Sequence, residues 1–524
     1  MQRIAKHFLL CSKTHSMSDK KLVRRSTKIN TLIRKRHIPT TKILSAIGTT
    51  FVSCSSLLFF VPSAKAAVGP YCQFADAEVE AKTQLLKASL DEEGFRPAYT
   101  ATVQRHRQML ELCRSQTWPE EQAIWLRLYP CDVTPGSLDH VLDRIVNLGY
   151  SKIHLEVFYD SQVLLPPADN PTPWTPVVQS PEAAQIDLLQ QTIDKAHQRG
   201  LKVYAWLFTM NFGYTYAQRP DRQDALARNG TGEDSLTYVH DRSQAFIDPY
   251  SPQAKSDYSN LVREVLERQP DGILFDYVRY PRGEGGQSYV HSIKDLWIYG
   301  KSSLNALYNR ASNKKGLALI KKFVAKGSLS TDDIAAVDRQ YPEEGQAKWQ
   351  GRPSLPEEKE TLGDRQEQIA RDLWLFAVSH AAQGVIDFLS FAAQPAKDSG
   401  LPTGAVFFPD ANRLVGTTAF DSRLQAWDKF PQDFEWHPMA YGVCEAKTDC
   451  ITEPISEVMQ TAPNTTVIPA LAGAWGKVYR GHLPLETQIE SLRKATPEVN
   501  SISHFSYAWQ EPDLDRRRKS CNFL

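Results

Sequence analysis

The sequence predicts a (β/α)8 barrel, an α/β fold in which eight parallel strands alternate with helices. Eight short apolar segments follow one another after Pro119, and helical spacing of apolar residues separates most of them. No glycine-rich phosphate-binding motif follows any of these segments, which disfavours the rival doubly wound open sheet. The strands are predicted at 123–129, 152–159, 201–208, 272–278, 404–408, 434–441, 466–471 and 502–509.

Helices are predicted between these strands from apolar residues at i, i+3 and i+4 spacing. The first two patterns stop at Gly149 and Gly200, as helices commonly do. The barrel helices are predicted at 137–148, 185–198, 252–268, 367–391, 456–460 and 485–494. Residues 72–115 are also predicted to be helical and precede the first strand.

The chain is predicted to consist of a signal peptide (1–66), a helical N-terminal extension (67–118) and the barrel (119–524). Residues 1–66 hold 13 Lys and Arg and a single acidic residue, and they include the apolar run 43–61. Ala64-Lys65-Ala66 matches a signal-peptidase motif, so cleavage is expected after Ala66, with export to the periplasm or the medium. The alternative is an uncleaved anchor helix. No membrane span is expected in the remaining chain.

Charge and cysteine content restrict the partners and the compartment. Residues 67–524 hold 48 basic and 59 acidic residues, a net charge of −11, which disfavours a nucleic-acid partner. Six cysteines remain after cleavage, an even number that suits disulfides in an exported chain, although buried thiols are the alternative. Connectivity is not determined by the sequence. Spacing is compatible with Cys72 and Cys113, Cys131 and Cys521, and Cys444 and Cys450 as pairs.

About eighty residues interrupt the barrel pattern after the fourth strand. This insertion, 283–363, is charged and partly helical. In a barrel it would extend from the loop next to the end of the fourth strand, where long loops often act as lids or substrate walls. The other interpretation is a decorative or partly disordered insertion.

The strongest candidate for chemistry is Asp276, which ends the apolar fourth strand. Catalytic groups of such barrels collect at the carboxyl ends of strands. Because a charged group packs poorly against the helix layer, Asp276 and Glu156, on the second strand, are both expected to face the barrel mouth. Two such carboxylates suit glycoside hydrolysis. Glu156 is the first choice as partner and Asp410 the second; alternatively, Glu156 forms a structural pair with Arg127 or Arg279.

Aromatic residues gather at the predicted strand ends. Aromatic faces pack against the C–H faces of sugar rings, although they also fill the top of a large barrel. Arg279 is expected to hold Asp276 ionised or to contact an acidic sugar. The predicted substrate-binding residues are Arg279, Trp206, His437, Tyr441 and Tyr280.

Four segments, 149–166, 200–207, 247–249 and 271–281, resemble the glycosyl hydrolase-like 10 family of exported bacterial (β/α)8 proteins. His437 to Tyr441 match more weakly. The resemblance implies a barrel that cleaves or binds glycans, with cell-wall polysaccharide among its substrates. The family commonly has Asp-Asp-Tyr where this chain has Asp276-Tyr277, and Gln where it has Glu156, so the partner of Asp276 stays open.

We therefore expect an exported glycoside hydrolase that acts on a polysaccharide by carboxylate acid/base catalysis. The alternative is a glycan-binding barrel without catalysis. Neither a cofactor nor a metal is expected, because the sequence lacks the HExxH and CxxC patterns. It also lacks a Gly-x-Ser-x-Gly motif for a nucleophilic serine.

Overall fold

The computed structural model describes residues 68–239, 241–353, 361–444 and 447–521. The predicted signal peptide and its cleavage site therefore lie outside the described residues.

Eight parallel strands form a closed barrel, as the sequence predicts. Each strand pairs with the next in chain order, and the first strand pairs with both the second and the last, so the sheet closes. The barrel strands are β1 (Glu121–Leu126), β2 (Lys152–Tyr159), β3 (Lys202–Phe208), β4 (Gly272–Asp276), β5 (Thr403–Phe407), β6 (Glu435–Ala440), β7 (Ala470–Ala472) and β8 (Ser501–Phe505).

Helices surround the barrel, and two more precede it, so the predicted helical extension is confirmed. Three further helices lie in the predicted insertion. The helices of eight residues or more are α1 (Asp76–Asp91), α2 (Arg96–Arg114), α3 (Ser137–Asn147), α4 (Leu188–Gln198), α5 (Pro252–Glu267), α6 (Lys301–Tyr308), α7 (Lys314–Lys326), α8 (Thr331–Gln340), α9 (Leu362–Asp398), α10 (Asp449–Thr461), α11 (Leu485–Ala495) and α12 (Pro512–Lys519).

The barrel interior is packed with aromatic and histidine side chains below its mouth. The Trp125 ring lies 4.7 Å from both His154 and Trp206, and His154 lies 5.5 Å from His437. Gly272, at the start of β4, leaves room for this packing, because a Cβ there would lie 2.7 Å from the Tyr204 ring. The layer forms a solid floor, so ligands have access only from the carboxyl ends of the strands.

Helix α9 corrects one expectation. By length and composition it is apolar enough to cross a membrane, although no such stretch was expected after the signal segment. Just over half of its most apolar window is buried inside the protein, and the helix packs against α5 and β4. Its apolar side chains are therefore explained by the barrel core, which needs a buried helix face at this place.

Among the contacts that tie the described part of the insertion to the barrel are a buried carboxylate and a small sheet. A buried carboxylate, Asp248, accepts hydrogen bonds from the backbone N–H groups of Ser303 in α6 and of Tyr250, both at 2.9 Å. A small antiparallel sheet then joins the loop after β4 to the loop after β5. Its strands are Tyr289–Val290, Ala419–Asp421 and Leu414–Val415.

Three disulfides connect the six cysteines, as their spacing allowed. They join Cys72 to Cys113, Cys131 to Cys521 and Cys444 to Cys450. The first links the N-terminal helices, the second links the loop after β1 to the C-terminal segment, and the third closes a short loop after β6. The alternative of buried free thiols is wrong for these six residues.

Candidate active site

A cavity of about 250 Å³ opens at the carboxyl ends of the barrel strands. Side chains from seven of the eight strands, or from the residues that follow them, form its wall. The lining residues are Trp125, Arg127, Glu156, Trp206, Phe208, Asp276, Tyr277, Arg279, Phe408, Met439, Tyr441 and Phe505. Two carboxylates and two arginines among aromatic rings are the polar groups available to a ligand there.

Asp276 is the last residue of β4 and is almost completely buried. Its Oδ2 accepts a hydrogen bond of 3.1 Å from the indole N–H of Trp206, and its Oδ1 accepts one of 2.6 Å from the backbone N–H of Tyr277. Tyr277 has a positive φ of 53°, so the chain turns sharply immediately after the carboxylate. Burial raises the pKa of Asp276 to about 6, although the Tyr277 N–H, the charge of Arg279 and the Trp206 bond oppose that rise.

Glu156 lies in β2 and is 1% exposed. The Arg127 guanidinium binds both carboxylate oxygens, with Nη2 donating to Oε1 at 2.9 Å and Nε donating to Oε2. Burial nevertheless raises the pKa of Glu156 to about 7, and the charges of Asp160 and Asp276 add to the rise. The alternative that Glu156 pairs with Arg127 is therefore what the structure shows, and Glu156 still faces the cavity.

The two carboxylates lie at successive levels of the barrel. Strand β3 runs between β2 and β4, and its Trp206 is level with Glu156 while its Phe208 is level with Asp276. Each negative charge opposes ionisation of the other group. Burial raises the pKa of both carboxyl groups, and the charge of Asp276 adds to the rise for Glu156.

Three of the predicted substrate-binding residues line this cavity: Trp206, Arg279 and Tyr441. Arg279 packs over the Tyr277 ring, with its guanidinium carbon 4.5 Å from the ring centroid. No ion pair within 4.0 Å joins Arg279 to Asp276, so its influence on the carboxylate is electrostatic and not a direct contact.

Three other predicted site residues lie elsewhere. His437 is in the barrel floor, fully buried, with Nε2 3.3 Å from the Glu435 carboxylate. Tyr280 is also fully buried and does not line the cavity, because the turn at Tyr277 directs it away from the mouth. Asp410 lies outside the cavity, in a neighbouring one, with its side chain half-exposed and paired with Arg423 at 3.2 Å.

The aromatic and apolar side chains that complete the wall were not selected from the sequence. Phe208 ends β3 and Phe505 ends β8, while Phe408 directly follows β5. A position at the end of a predicted strand was the available signal for Phe208 and Phe408, whereas Phe505 lies in the middle of the strand predicted at 502–509. Arg127 directly follows β1, just as Tyr277 follows β4, so the same rule would have placed it at the mouth.

A second cavity, of about 300 Å³, adjoins the first. Phe408, Met439 and Tyr441 line both. Its charged lining residues are Arg282, Asp410, Arg413 and Arg423. No described residue of the insertion 283–363 lines either cavity, so the structure does not support the lid interpretation. Within the described ranges no cluster of three or more His, Cys, Asp or Glu side chains is arranged to hold a metal ion.

Comparison with known proteins identifies a segment that supplies part of the cavity wall. Residues 129–314 match the model of the family described as glycosyl hydrolase-like 10. The resemblance predicted from the motifs is thus confirmed over this segment. The segment contains β2, β3 and β4, and therefore Glu156, Trp206, Asp276 and Arg279, but not Asp410, His437 or Tyr441.

A curated relative belongs to the same class. The protein named glycosyl hydrolase DigH from Escherichia coli K12 is 27% identical over 156 residues, which cover 28% of this chain and 35% of the relative. The match therefore spans about a third of the relative's length. This part of the chain is related to glycan-acting hydrolases.

Solved structures with similar architecture have low sequence identity. The glycoside hydrolase domain of PgaB (BpsB) from Bordetella bronchiseptica is 15% identical with a TM-score of 0.45, over 77% of this chain and 99% of that one. The glycoside hydrolase domain of PelA from Pseudomonas aeruginosa is 9% identical with a TM-score of 0.32, over 74% and 95%. The fold assignment rests on the strand pairing of the chain itself.

Proposed function

We propose that the protein is an exported glycoside hydrolase that cleaves a polysaccharide, with bacterial cell-wall glycan among the candidate substrates. Asp276 is the principal catalytic carboxylate and Glu156 its partner. The observation that carries the proposal is the placement of these two buried carboxylates in one aromatic-lined cavity at the barrel mouth. Membership of residues 129–314 in a glycosyl hydrolase-like family supports it.

Glycoside hydrolysis needs one carboxyl group that is protonated and one that is ionised. The first donates a proton to the glycosidic oxygen, while the second acts at the anomeric carbon or activates water. A pair with raised pKa values of about 6 and about 7 supplies this combination near neutral pH. The rings of Trp206, Phe208 and Tyr441 would pack against the sugar, while Asp410 is left without a direct role.

Export is supported by the disulfides. Three disulfides in one chain suit an oxidising compartment, the periplasm or the medium. The basic and apolar residues of 1–66, with the predicted cleavage after Ala66, agree with this location.

The proposal is tested with the exported protein and a panel of peptidoglycan, chitin-type and α- and β-glucan oligomers, with products read by mass spectrometry. We expect shortened products from at least one glycan, and their loss in Asp276→Asn. Cleavage that persists in this variant would contradict the central role of Asp276. Glycosides with an activated leaving group then separate the roles, because the variant that lacks the proton donor retains their cleavage.

A glycan-binding barrel without catalysis is the second candidate. The observation that favours it is the Arg127 guanidinium, which occupies both oxygens of Glu156 as in a structural ion pair. In that case at least one panel glycan binds, no product forms, and Glu156→Gln leaves the binding affinity unchanged. Products that disappear in Glu156→Gln would exclude this candidate.

A further inference from the structure

Arg279 is a buried cation that the protein itself leaves incompletely paired. It is 8% exposed and lines the cavity that holds Asp276. Its guanidinium makes one hydrogen bond to a described residue, from Nη1 to the carbonyl oxygen of Tyr280 at 3.0 Å, and no described carboxylate lies within 4.0 Å. Contact with the Tyr277 ring offsets part of the cost of burying the charge. Buried charges are otherwise paired, so this arrangement leaves room for an anion.

Arginine side chains also line the second cavity. Arg423 is 1% exposed and binds Asp421 through Nε and Nη2, both at 2.7 Å. Its third guanidinium nitrogen, Nη1, is buried and has no hydrogen-bond partner among the described residues. At the rim, Arg282 and Arg413 are exposed and form no ion pair with the described part of the chain. Among the described residues, the only carboxylate that lines this cavity is Asp410, half-exposed beside Arg423.

These arginines are held by the junction between the two loops. The backbone N–H of Tyr280 donates to the carbonyl oxygen of Arg423 at 2.9 Å, and that of Gly283 donates to Ser422 Oγ at 3.1 Å. The N–H of Ser422 donates in turn to the carbonyl oxygen of Ser288 at 2.9 Å. The small sheet continues from this point. These hydrogen bonds fix the backbone positions of Arg282 and Arg423 relative to each other. Side chains on a rigid backbone are suited to binding a ligand.

We propose that the substrate is an acidic glycan, and that Arg282, Arg413 and Nη1 of Arg423 bind an anionic substituent on the sugar in the second cavity, while Arg279 contributes its charge from the adjoining first cavity. The position of that sugar, next to the bond to be cleaved, rests on the proposed function of Asp276. A guanidinium binds a carboxylate, sulfate or phosphate through two parallel N–H donors, so these substituents share the required chemistry. An uncharged sugar would leave Arg279 buried without an anion.

Binding of matched acidic and neutral glycans tests this inference, measured by calorimetry with the exported protein and with its Asp276→Asn variant. The carboxylated probes are oligogalacturonate and peptide-free glycan strands of peptidoglycan, each compared with its methyl ester. A sulfated oligosaccharide of the heparin type distinguishes sulfate from carboxylate, and chitin-type oligomers are the neutral reference. We expect at least one acidic probe to bind, and its neutral counterpart to bind about tenfold more weakly or not at all.

Substitution of the arginines tests which of them bind the anionic substituent. Arg279→Gln is expected to weaken binding of the acidic probe about tenfold and to leave the neutral counterpart unaffected. The double variant Arg282→Gln/Arg413→Gln should act in the same direction, and it changes only exposed side chains, so misfolding does not account for a loss. Arg263→Gln is the matched control, because Arg263 is an exposed arginine on α5, outside both cavity linings.

The outcomes separate this inference from the hydrolase proposal. Equal affinity for acidic and neutral forms, binding of neutral probes alone, or no binding of any acidic probe would overturn the acidic-glycan inference. Cleavage of a neutral glycan that depends on Asp276 would leave the hydrolase proposal standing and contradict this one. An acidic probe that binds through Arg279 but is not cleaved would support the acidic-glycan inference and contradict the hydrolase proposal.

Discussion

At the scale of single residues, the hydrogen bond from the indole of Trp206 lowers the proton affinity of Asp276. Its N–H donates to Oδ2 at 3.1 Å and so favours the ionised carboxylate. Burial acts in the opposite direction and dominates. Because the indole hydrogen bond lowers the pKa of Asp276, removal of this donor should raise that pKa.

We expect Trp206→Phe to raise the pKa of Asp276 above about 6, by about one pH unit for the loss of one hydrogen bond to a charged group. The measurement is the pH dependence of glycan cleavage, in which the limb that reports Asp276 should move to higher pH. Trp174→Phe is the control, because buried Trp174 also donates its indole N–H, to the carbonyl oxygen of Phe212 at 3.1 Å. A limb that stays in place, or moves to lower pH, contradicts the assignment.

The same carboxylate makes the stability of the protein depend on pH. The folded pKa of Asp276 is raised to about 6, so between about pH 4 and pH 6 the folded state keeps a proton that the unfolded state has lost. Stability therefore falls as the pH rises through this window, by up to about 3 kcal/mol from this group. The Asp276→Asn variant has no group that titrates here and so does not lose this stability. Its thermal midpoint should therefore rise relative to that of the wild type from pH 4 to pH 7.

A control with the opposite sign is available for this measurement. Asp364 is exposed at the start of α9, and its hydrogen bonds with Thr361, from the side chain and from the backbone, lower its pKa. Asp364→Asn should therefore lose stability relative to the wild type as the pH rises towards 3.8, the ordinary pKa of the group, and should show no further change above that pH, because the lowered pKa places its titration below this value. A midpoint difference for Asp276→Asn that is constant with pH would show that Asp276 ionises normally in the folded protein.

The convergence of Asp276 and Glu156 could be predicted from residues alone, whereas the positions of His437 and Tyr280 could not. Alternation along a strand decides which side chains face inward, and it placed both carboxylates correctly. The depth of an inward residue depends on how the strands are staggered, and that put His437 in the floor. Tyr280 follows a turn with positive φ at Tyr277, and this conformation cannot be predicted from a tyrosine in the sequence because tyrosine rarely adopts it.

At the scale of elements, Asp248 joins the insertion to the barrel. It is fully buried, and its two backbone hydrogen bonds satisfy the N–H groups of Ser303 and Tyr250. Ser303 is in the first turn of α6, where helix N–H groups lack partners within the helix. The carboxylate therefore acts as a helix cap supplied by a distant segment.

Asp248→Ala is expected to leave these two N–H groups buried and unpaired, at a cost of about 1–3 kcal/mol. Hydrogen–deuterium exchange read by mass spectrometry should become faster in Lys301–Tyr308 than in the barrel strands. Asp248→Asn keeps a carbonyl acceptor of the same shape and serves as the control, with a smaller effect. Equal acceleration throughout the protein would contradict a local anchoring role.

Sequence patterns found every barrel strand but misjudged the lengths of several elements, among them two helices, β7 and β8, whose predicted range 502–509 runs into a short helix at Tyr507–Gln510. Long apolar runs predicted β2, β3 and β4 well, since both faces of a barrel strand are buried. Helices α9 and α10 extend past Pro395 and Pro454, at which a sequence rule ends a helix. Strand β7 is shorter than expected, because residue 467 forms a single isolated bridge with Trp436 and not a ladder.

At the scale of the whole molecule, the disulfides differ greatly in the length of chain that they close. Cys131 and Cys521 are 390 residues apart, whereas Cys444 and Cys450 are 6 residues apart. The pairing could not be deduced from spacing, because it depends on the closed barrel bringing the C-terminal segment to β1. Constraint of the unfolded chain grows with the logarithm of loop length.

We expect the double variant Cys131→Ser/Cys521→Ser to lose roughly 4 kcal/mol more stability than Cys444→Ser/Cys450→Ser, from the difference in loop length. Thermal unfolding of the two oxidised double variants against the wild type measures this difference. The two variants remove the same number of sulfur atoms and are matched controls for each other. A larger loss in the Cys444 and Cys450 variant would contradict loop closure as the source of stability.

The pairing of β8 with β1 has a consequence for how the chain is made. During synthesis the N-terminal half of the barrel emerges first, and one edge of Glu121–Leu126 stays without its partner until Ser501–Phe505 has left the ribosome. An unpaired strand edge is a template for aggregation. A chain that folded during its own synthesis would therefore expose this edge for almost the whole time of translation.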